Sequence, residues 1–212
     1  MKIDKDDIYK IAKAVVEMIE DKNMIKKDDK WIDIPVSKLK RGDGFKYKGY
    51  YWIVLDVSNN TKSPSVFTTM DEPINDEGYP FDEKGDNNYE KSSLRKFLNN
   101  NILPKLNTDD LGLHSIDLTT ESGELTYGRL GEEIFILTCD EYRRYRNYLP
   151  CSYFLQPTWT CTAWSSVGDE RCVKHINTFG QVCSDAPRQK KAVIPCCLFN
   201  GNAIVQYEPR YK

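Results

Sequence analysis

Hydrophobic positions along this chain fall into one stretch of helical period and many short stretches of strand period. Over residues 4–22, Ile8, Ile11, Val15 and Met18 recur at 3-4-3 spacing, which predicts an amphipathic helix. Asp4 suits its N-cap, and Asp6 and Asp7 suit the first turn, where carboxylates meet the positive end of the helix dipole. The pattern lasts only about two heptads, short for a coiled coil. It reads either as a helix docked on its own domain or as a handle for attachment or oligomerisation. EDKNMIKKDDK at 20–30 is dominated by charge and reads as a linker, so residues 1–30 form one unit and 31–212 the main domain.

From Trp31 the period changes. RGDG at 41–44 is a turn between extended segments, and its Arg-Gly-Asp triplet needs no adhesive role to explain it. FKYKGYYWIVLDV at 45–57 is two β-rich runs around Lys48-Gly49, a hairpin or a bulged strand. The acidic, turn-rich segment 71–88 reads as a surface loop. Its carboxylates are the oxygen ligands that Ca²⁺ takes, although the spacing of a dedicated calcium loop is absent. YEKSSLRKFLNNNILPKL at 89–106 predicts a helix with Leu94, Phe97 and Leu98 on one stripe and Pro104 as its stop. Ile134–Leu137 is a short apolar strand, and DEYRRYRNYL at 140–149 is a second helix with Asp140 at its start. Beyond Pro150 come short strands separated by turns, at 158–164, 172–178, 180–184, 191–198 and 202–207. Two helices among many short strands, with no β-α-β alternation, predict an α+β domain with a largely antiparallel sheet.

Charge and composition narrow the function. A net charge of −2 argues against a general nucleic-acid binder. No apolar run approaches the roughly 20 residues of a membrane span, so no membrane insertion is expected. The charged N-terminus is unlike a signal peptide. Seven cysteines contain no Cys-x-x-Cys pair, so they read first as buried apolar thiols, with disulfides, metal binding or catalysis as the alternatives. Cys172 and His175 are three apart, which on a strand points them to opposite faces, and Cys196 and Cys197 also diverge. No Gly-rich phosphate loop and no His-Glu metal motif occurs. Neither a catalytic centre nor a cofactor is expected.

Four segments together resemble a known family. YYWIVLDV with Trp52 has the form of its opening strand. YEKSSLRKFLN carries its helix signature in Tyr89, Ser92, Arg95, Phe97 and Asn99. IFILTCDEYRRY carries Glu141 and Tyr142, and VIPCCLF with Pro195 resembles its closing strand. The chain thus resembles, over roughly 40–205, the domain-of-unknown-function family 6273 of Gram-positive bacteria and their phages. That family looks related to the C-type-lectin-like fold, shared by lectins, formylglycine-generating enzymes and phage receptor-binding proteins. The resemblance implies a C-type-lectin-like domain and no assigned activity.

The ten residues WTCTAWSSVG, 159–168, depart from the family pattern: Trp159 keeps an aromatic, Thr160 replaces a second, and Thr162 stands where Arg is usual. Ile194 also stands where Arg is expected, and an apolar residue on a closing strand reads as repacking. Residues 152–190 hold a candidate binding face of Tyr153, Trp164, Ser165, Ser166, Asn177 and Gln181. Aromatic rings supply contact area there and hydroxyls and amides supply adaptable hydrogen bonds. The expectation is a non-catalytic ligand-binding or adhesion module for a cell-surface glycan or protein, in a virion if phage-encoded and otherwise cytoplasmic. The alternatives are an accessory domain binding a small molecule or partner protein, and, third, an oxidase of the formylglycine-generating type.

Overall fold

In the computed structural model, which describes residues 31–58, 63–168 and 171–209, the runs around Lys48-Gly49 fold into a hairpin. Tyr47 faces Tyr50 across a two-residue turn in which Lys48 and Gly49 both take positive φ, +50° and +83°. That turn twists the way its strands twist, so β2 (Gly44–Tyr47) and β3 (Tyr50–Ser58) stay in register. The predicted helix at 4–22 and linker at 20–30 lie outside the described residues. Asp33–Tyr207 form one compact unit.

The hairpin sits in an eight-stranded sheet with β1 (Ile32–Pro35), β4 (Ser65–Met70), β6 (Leu111–Gly112), β14 (Cys196–Asn200) and β15 (Ile204–Tyr207). The order is β1-β15-β2-β3-β4-β14-β6, and β9 (Ile134–Phe135) shares the β6 side of β14. A bulge between Val54 and Asp56 buries both Val54 and Leu55 and turns Asp56 outward. Phe199 on β14 is the hub of the inner face: Phe45, Tyr47 and Trp52 each meet its ring edge to face, at 5.6, 5.0 and 5.4 Å. Such pairs add to the burial of the rings themselves.

A three-stranded sheet of β10 (Thr158–Ala163), β11 (Val173–Ile176) and β12 (Val182–Asp185) packs beside it. Two antiparallel pairs complete the set: β5 (Tyr79–Pro80) with β13 (Lys190–Lys191), and β7 (His114–Asp117) with β8 (Arg129–Glu132). All six residues of β10 are buried, because the Cys161 N–H bonds the Leu137 carbonyl and the Trp159 N–H bonds that of Ala192.

The expected α+β class is corrected by these proportions. Strands make up 36% of the described residues and helical turns 21%, and the helical share is itself mostly single turns. Among the described residues only α1 (Ser93–Phe97) and α2 (Cys139–Tyr145) are α-helices. The expected long helix at 89–106 is broken because Ser92 adopts an extended conformation, φ −61° and ψ 150°, to cap α1. A 3₁₀ turn precedes it, and a π turn at Leu98–Ile102 and a 3₁₀ turn holding Pro104 follow. The domain is therefore β-dominated, with several antiparallel sheets, and not the α+β class expected from the pattern.

Candidate functional site

Arg95 and Asn99, two of the residues that carried the resemblance, share Glu132 as a partner. The Ser92 hydroxyl accepts the Arg95 N–H and donates to the Tyr89 carbonyl, closing the first turn of α1. This aims the Arg95 guanidinium at Glu132 Oε1, 2.7 Å from Nε, while the Asn99 amide donates to Oε2 at 3.0 Å. Glu132 is only 4% exposed, so Arg95 neutralises, and Asn99 hydrogen-bonds, a carboxylate inside the fold. Phe97 stacks on Tyr79 at 4.5 Å, Tyr142 donates to the Gly180 carbonyl, and the Trp159 indole donates to that of Tyr79. Trp52 and Tyr89 are buried, and the Pro195 carbonyl accepts the Met70 N–H. Ile194 is wholly buried.

The six residues of the expected binding face do not form one surface. Tyr153 is 1% exposed, in the core, and cannot touch a surface ligand. Ser165 and Ser166 are also buried, and the Ser165 hydroxyl donates to Glu124 at 2.9 Å. Trp164 is 38% exposed and lies under the Lys174 ammonium, 4.6 Å from its ring centroid. Asn177 and Gln181 bond each other in the turn after β11, whereas Trp164 adjoins the opposite end of that strand. Alternation along an extended chain could not show this, because the β10–β11 pairing slips between Trp159 and Ala163.

The structure instead places Thr162 in a cleft of about 400 Å³, walled by segment 117–121 and the start of α2. Thr138 builds that wall. Its hydroxyl accepts the Glu141 N–H, and Glu141 Oε2 accepts the Thr138 N–H at 2.9 Å, a reciprocal capping box. The Thr162 hydroxyl accepts the Cys139 N–H at 2.9 Å, tying β10 to the same turn. Opposite, the Glu121 N–H bonds the Ala163 carbonyl and the Ser122 N–H bonds that of Trp164, so Trp164 directly flanks this wall.

Proton accounting shows what the cleft presents. Thr119 donates to Asp117 at 2.6 Å, Thr138 donates to Glu141 at 3.1 Å, and Thr120 makes a short bond to Glu124. Three lining hydroxyls thus spend their protons on carboxylates, and Thr120 and Thr138, which each also accept a backbone N–H, keep one lone pair. Asp117, Glu121 and Asp140 add acceptors. Arg143 is the cation of the lining, and its terminal nitrogens already meet Asp140 at 2.8 Å and Glu121 at 2.7 Å. Hydrogen bonds from Thr119 and the Arg129 guanidinium hold the Asp117 carboxyl down to about 2, so it is ionised at neutral pH. The lining is negative and rich in acceptors.

Thiol chemistry has no footing there. Burial pushes the Cys139 thiol up, and its sulfur lies 3.5 Å from the Thr160 hydroxyl. All seven cysteines are unpaired, and Cys139, Cys161, Cys196 and Cys197 are buried. His175 faces Cys183 across β11–β12, not Cys172, and no bond joins the two. In the acidic loop, Asp82 Oδ2 accepts the Lys84 and Asp86 N–H groups and Oδ1 accepts that of Ser93, while Asp82, Asn87 and Asn88 are buried. This loop is therefore partly internal rather than a free surface loop. Among the described residues no three His, Cys, Asp or Glu side chains converge as a metal site. No helix among them is long and apolar enough to cross a membrane.

Of the cleft residues, the sequence reading singled out Thr162 for its departure from the family pattern and Asp140 as a helix start. The T-x-x-E of 138–141 was a readable helix-start signal, but nothing in the sequence joined 117–121 to it. No family model, curated protein or solved structure matches the chain.

Proposed function

We propose that this chain is a non-catalytic binding module whose cleft at Thr138 and Thr162 takes a polyhydroxylated ligand, a glycan presenting hydrogen-bond donors. The observation that carries the reading is the acceptor bias of the lining. Hydroxyl protons at Thr119, Thr120 and Thr138 are already committed, so at these three positions a ligand must supply the proton. Sugar hydroxyls do so, and an acidic sugar would meet repulsion from Asp117, Glu121 and Asp140. The flanking Trp164, half-exposed, offers apolar contact area beside the polar wall. The absence of an activated nucleophile in the cleft favours binding over turnover.

The test is an amide-resolved NMR titration with neutral, amino and uronic-acid oligosaccharides. Neutral or amino sugars should shift the amides of Thr119, Thr120, Thr138, Cys139 and Thr162, and uronic acids should not. Thr162→Arg places a guanidinium on the cleft floor against the acceptors and should weaken binding at least about tenfold, roughly the loss of one charge-assisted hydrogen bond. Uronic acids binding as well as neutral sugars, or no sugar shifting these amides, would defeat the proposal.

A further inference from the structure

A second cleft, of about 330 Å³, is bordered by Tyr145 of α2 and has a different chemistry. Its walls combine Phe67, Tyr145 and Leu198 with the imidazole of His114. Small-molecule sites have this composition, apolar walls with a few convergent polar groups. The His114 ring lies parallel to Phe67 and Phe135, at interplanar angles of 5° and 7° and centroid distances of 4.9 and 4.6 Å. Phe67 and Phe135 are themselves parallel, so the three rings share one orientation, and two of them, Phe67 and His114, border the cleft.

Ser58 and Ser65 also line the cleft, and its charged group, Asp56, and the Nε2 of His114 are committed. His114 Nε2 lies 2.6 Å from Glu141 Oε1, and the other oxygen of Glu141 is the one that caps α2. In the neutral ring this contact places the proton on Nε2 and leaves Nδ1 as a lone-pair acceptor. Nδ1 has no protein partner among the described residues and is not a buried orphan. Asp56 is compensated by Arg41, whose Nε lies 2.9 Å from Oδ1, and its Oδ2 accepts the Tyr145 hydroxyl at 3.1 Å. Asp56 thus offers no uncompensated charge to a ligand, and both oxygens of Glu141 are hydrogen-bonded.

From this arrangement we infer that the His114 cleft is a second binding site, for a small, flat, uncharged aromatic molecule that donates one hydrogen bond to His114 Nδ1. The parallel Phe67 and His114 rings favour a planar body, as offset stacking does between aromatic side chains. The lone pair of Nδ1 favours a phenol-like O–H or an aromatic N–H as its partner. This site is independent of the glycan reading, because none of its lining residues belongs to the Thr162 cleft.

Phenol, toluene and benzoate distinguish the terms, sharing a ring while differing in donor and charge. In NMR titrations of the full chain, phenol should shift the ring signals of His114 and Phe67 and saturate in the millimolar range. Toluene, lacking the donor, should bind at least about fivefold more weakly, and benzoate should give no saturable shift, since a buried unmet acceptor or unpaired charge is costly. In His114→Phe, which keeps an aromatic ring in the stack, phenol should lose its advantage over toluene while toluene binding survives. If that variant fails to fold, the three-ligand comparison on the natural chain still decides. Equal binding of all three, or shifts that avoid His114 and Phe67, would overturn the inference. Saccharide titrations read at Thr138 and Thr162 are unaffected by either result.

Discussion

His175 carries a proton-linked contribution to stability that its neighbours dictate. Its ring is 7% exposed, meets Trp159 edge to face at 5.9 Å, and leaves Nδ1 buried without a partner. Burial first, and the Lys191 ammonium second, push it down to about 4. The folded chain thus keeps the ring neutral where an unfolded chain, with the ordinary value of 6.5, would protonate it. Between those values the unfolded state binds more protons. Stability is therefore full above pH 6.5 and falls as pH drops toward 4, by on the order of 2 kcal/mol. Urea unfolding at pH 7 and pH 4.5 should show this loss in the natural chain and a much smaller one in His175→Gln. Equal losses in both would remove His175 as the cause. The residue was visible in the sequence only as an unlikely partner for Cys172, because its true neighbours come from other strands.

Among the elements, hairpin and capped helix were the most legible. Lys48-Gly49 between alternating runs announces a two-residue turn, and Thr138 with Glu141 announces a helix start. Both are local: the signal and the structure it specifies lie within four residues. The turn carries one strained position, since Lys48 sits at φ +50°, where a side chain with a Cβ is disfavoured and Asn is tolerated. Lys48→Asn should raise stability by about 0.5–1 kcal/mol, read as a higher thermal midpoint at unchanged spectrum. A lower midpoint would mean that the lysine makes a contact worth more than its strain. The strand β4, by contrast, gave little sign of itself. SVFTTM is buried from Val66 to Met70 because it lies between β3 and β14, yet two of those five residues are threonines. Thr68 and Thr69 are admitted because the Thr68 hydroxyl donates to the Cys197 carbonyl at 3.1 Å and that of Thr69 points at neighbouring carbonyls.

Over the whole molecule, burial sorts the cysteines into three populations. Cys139, Cys161, Cys196 and Cys197 are enclosed, Cys151 is exposed, and Cys172 and Cys183 are half-buried. A chromogenic disulfide reagent at pH 8 should modify Cys151 fastest and Cys172 and Cys183 next. The other four should react only with global opening, roughly a hundredfold slower or more. Seven fast thiols in the native chain would contradict the fold, and mass spectrometry of partly modified protein identifies which ones react. This division follows from long-range pairing: Cys196 and Cys197 diverge on β14, as adjacent strand residues do, but both sides of that strand are covered.

Chain order alone thus settled what depends on near neighbours: turns, caps, the two-period alternation of β2 and β3, and the apolar character of most thiols. It overstated helix at 89–106, since hydrophobic spacing does not reveal that Ser92 turns extended to make a cap. Folding settled what depends on distant partners. Asp117 and Thr162 line one cleft although 45 positions separate them, and Glu141 links the wall of that cleft to His114 in the next. Tyr153, which by type and setting belonged on a binding face, lies in the core, because exposure is decided by what packs over a residue and not by the residue itself.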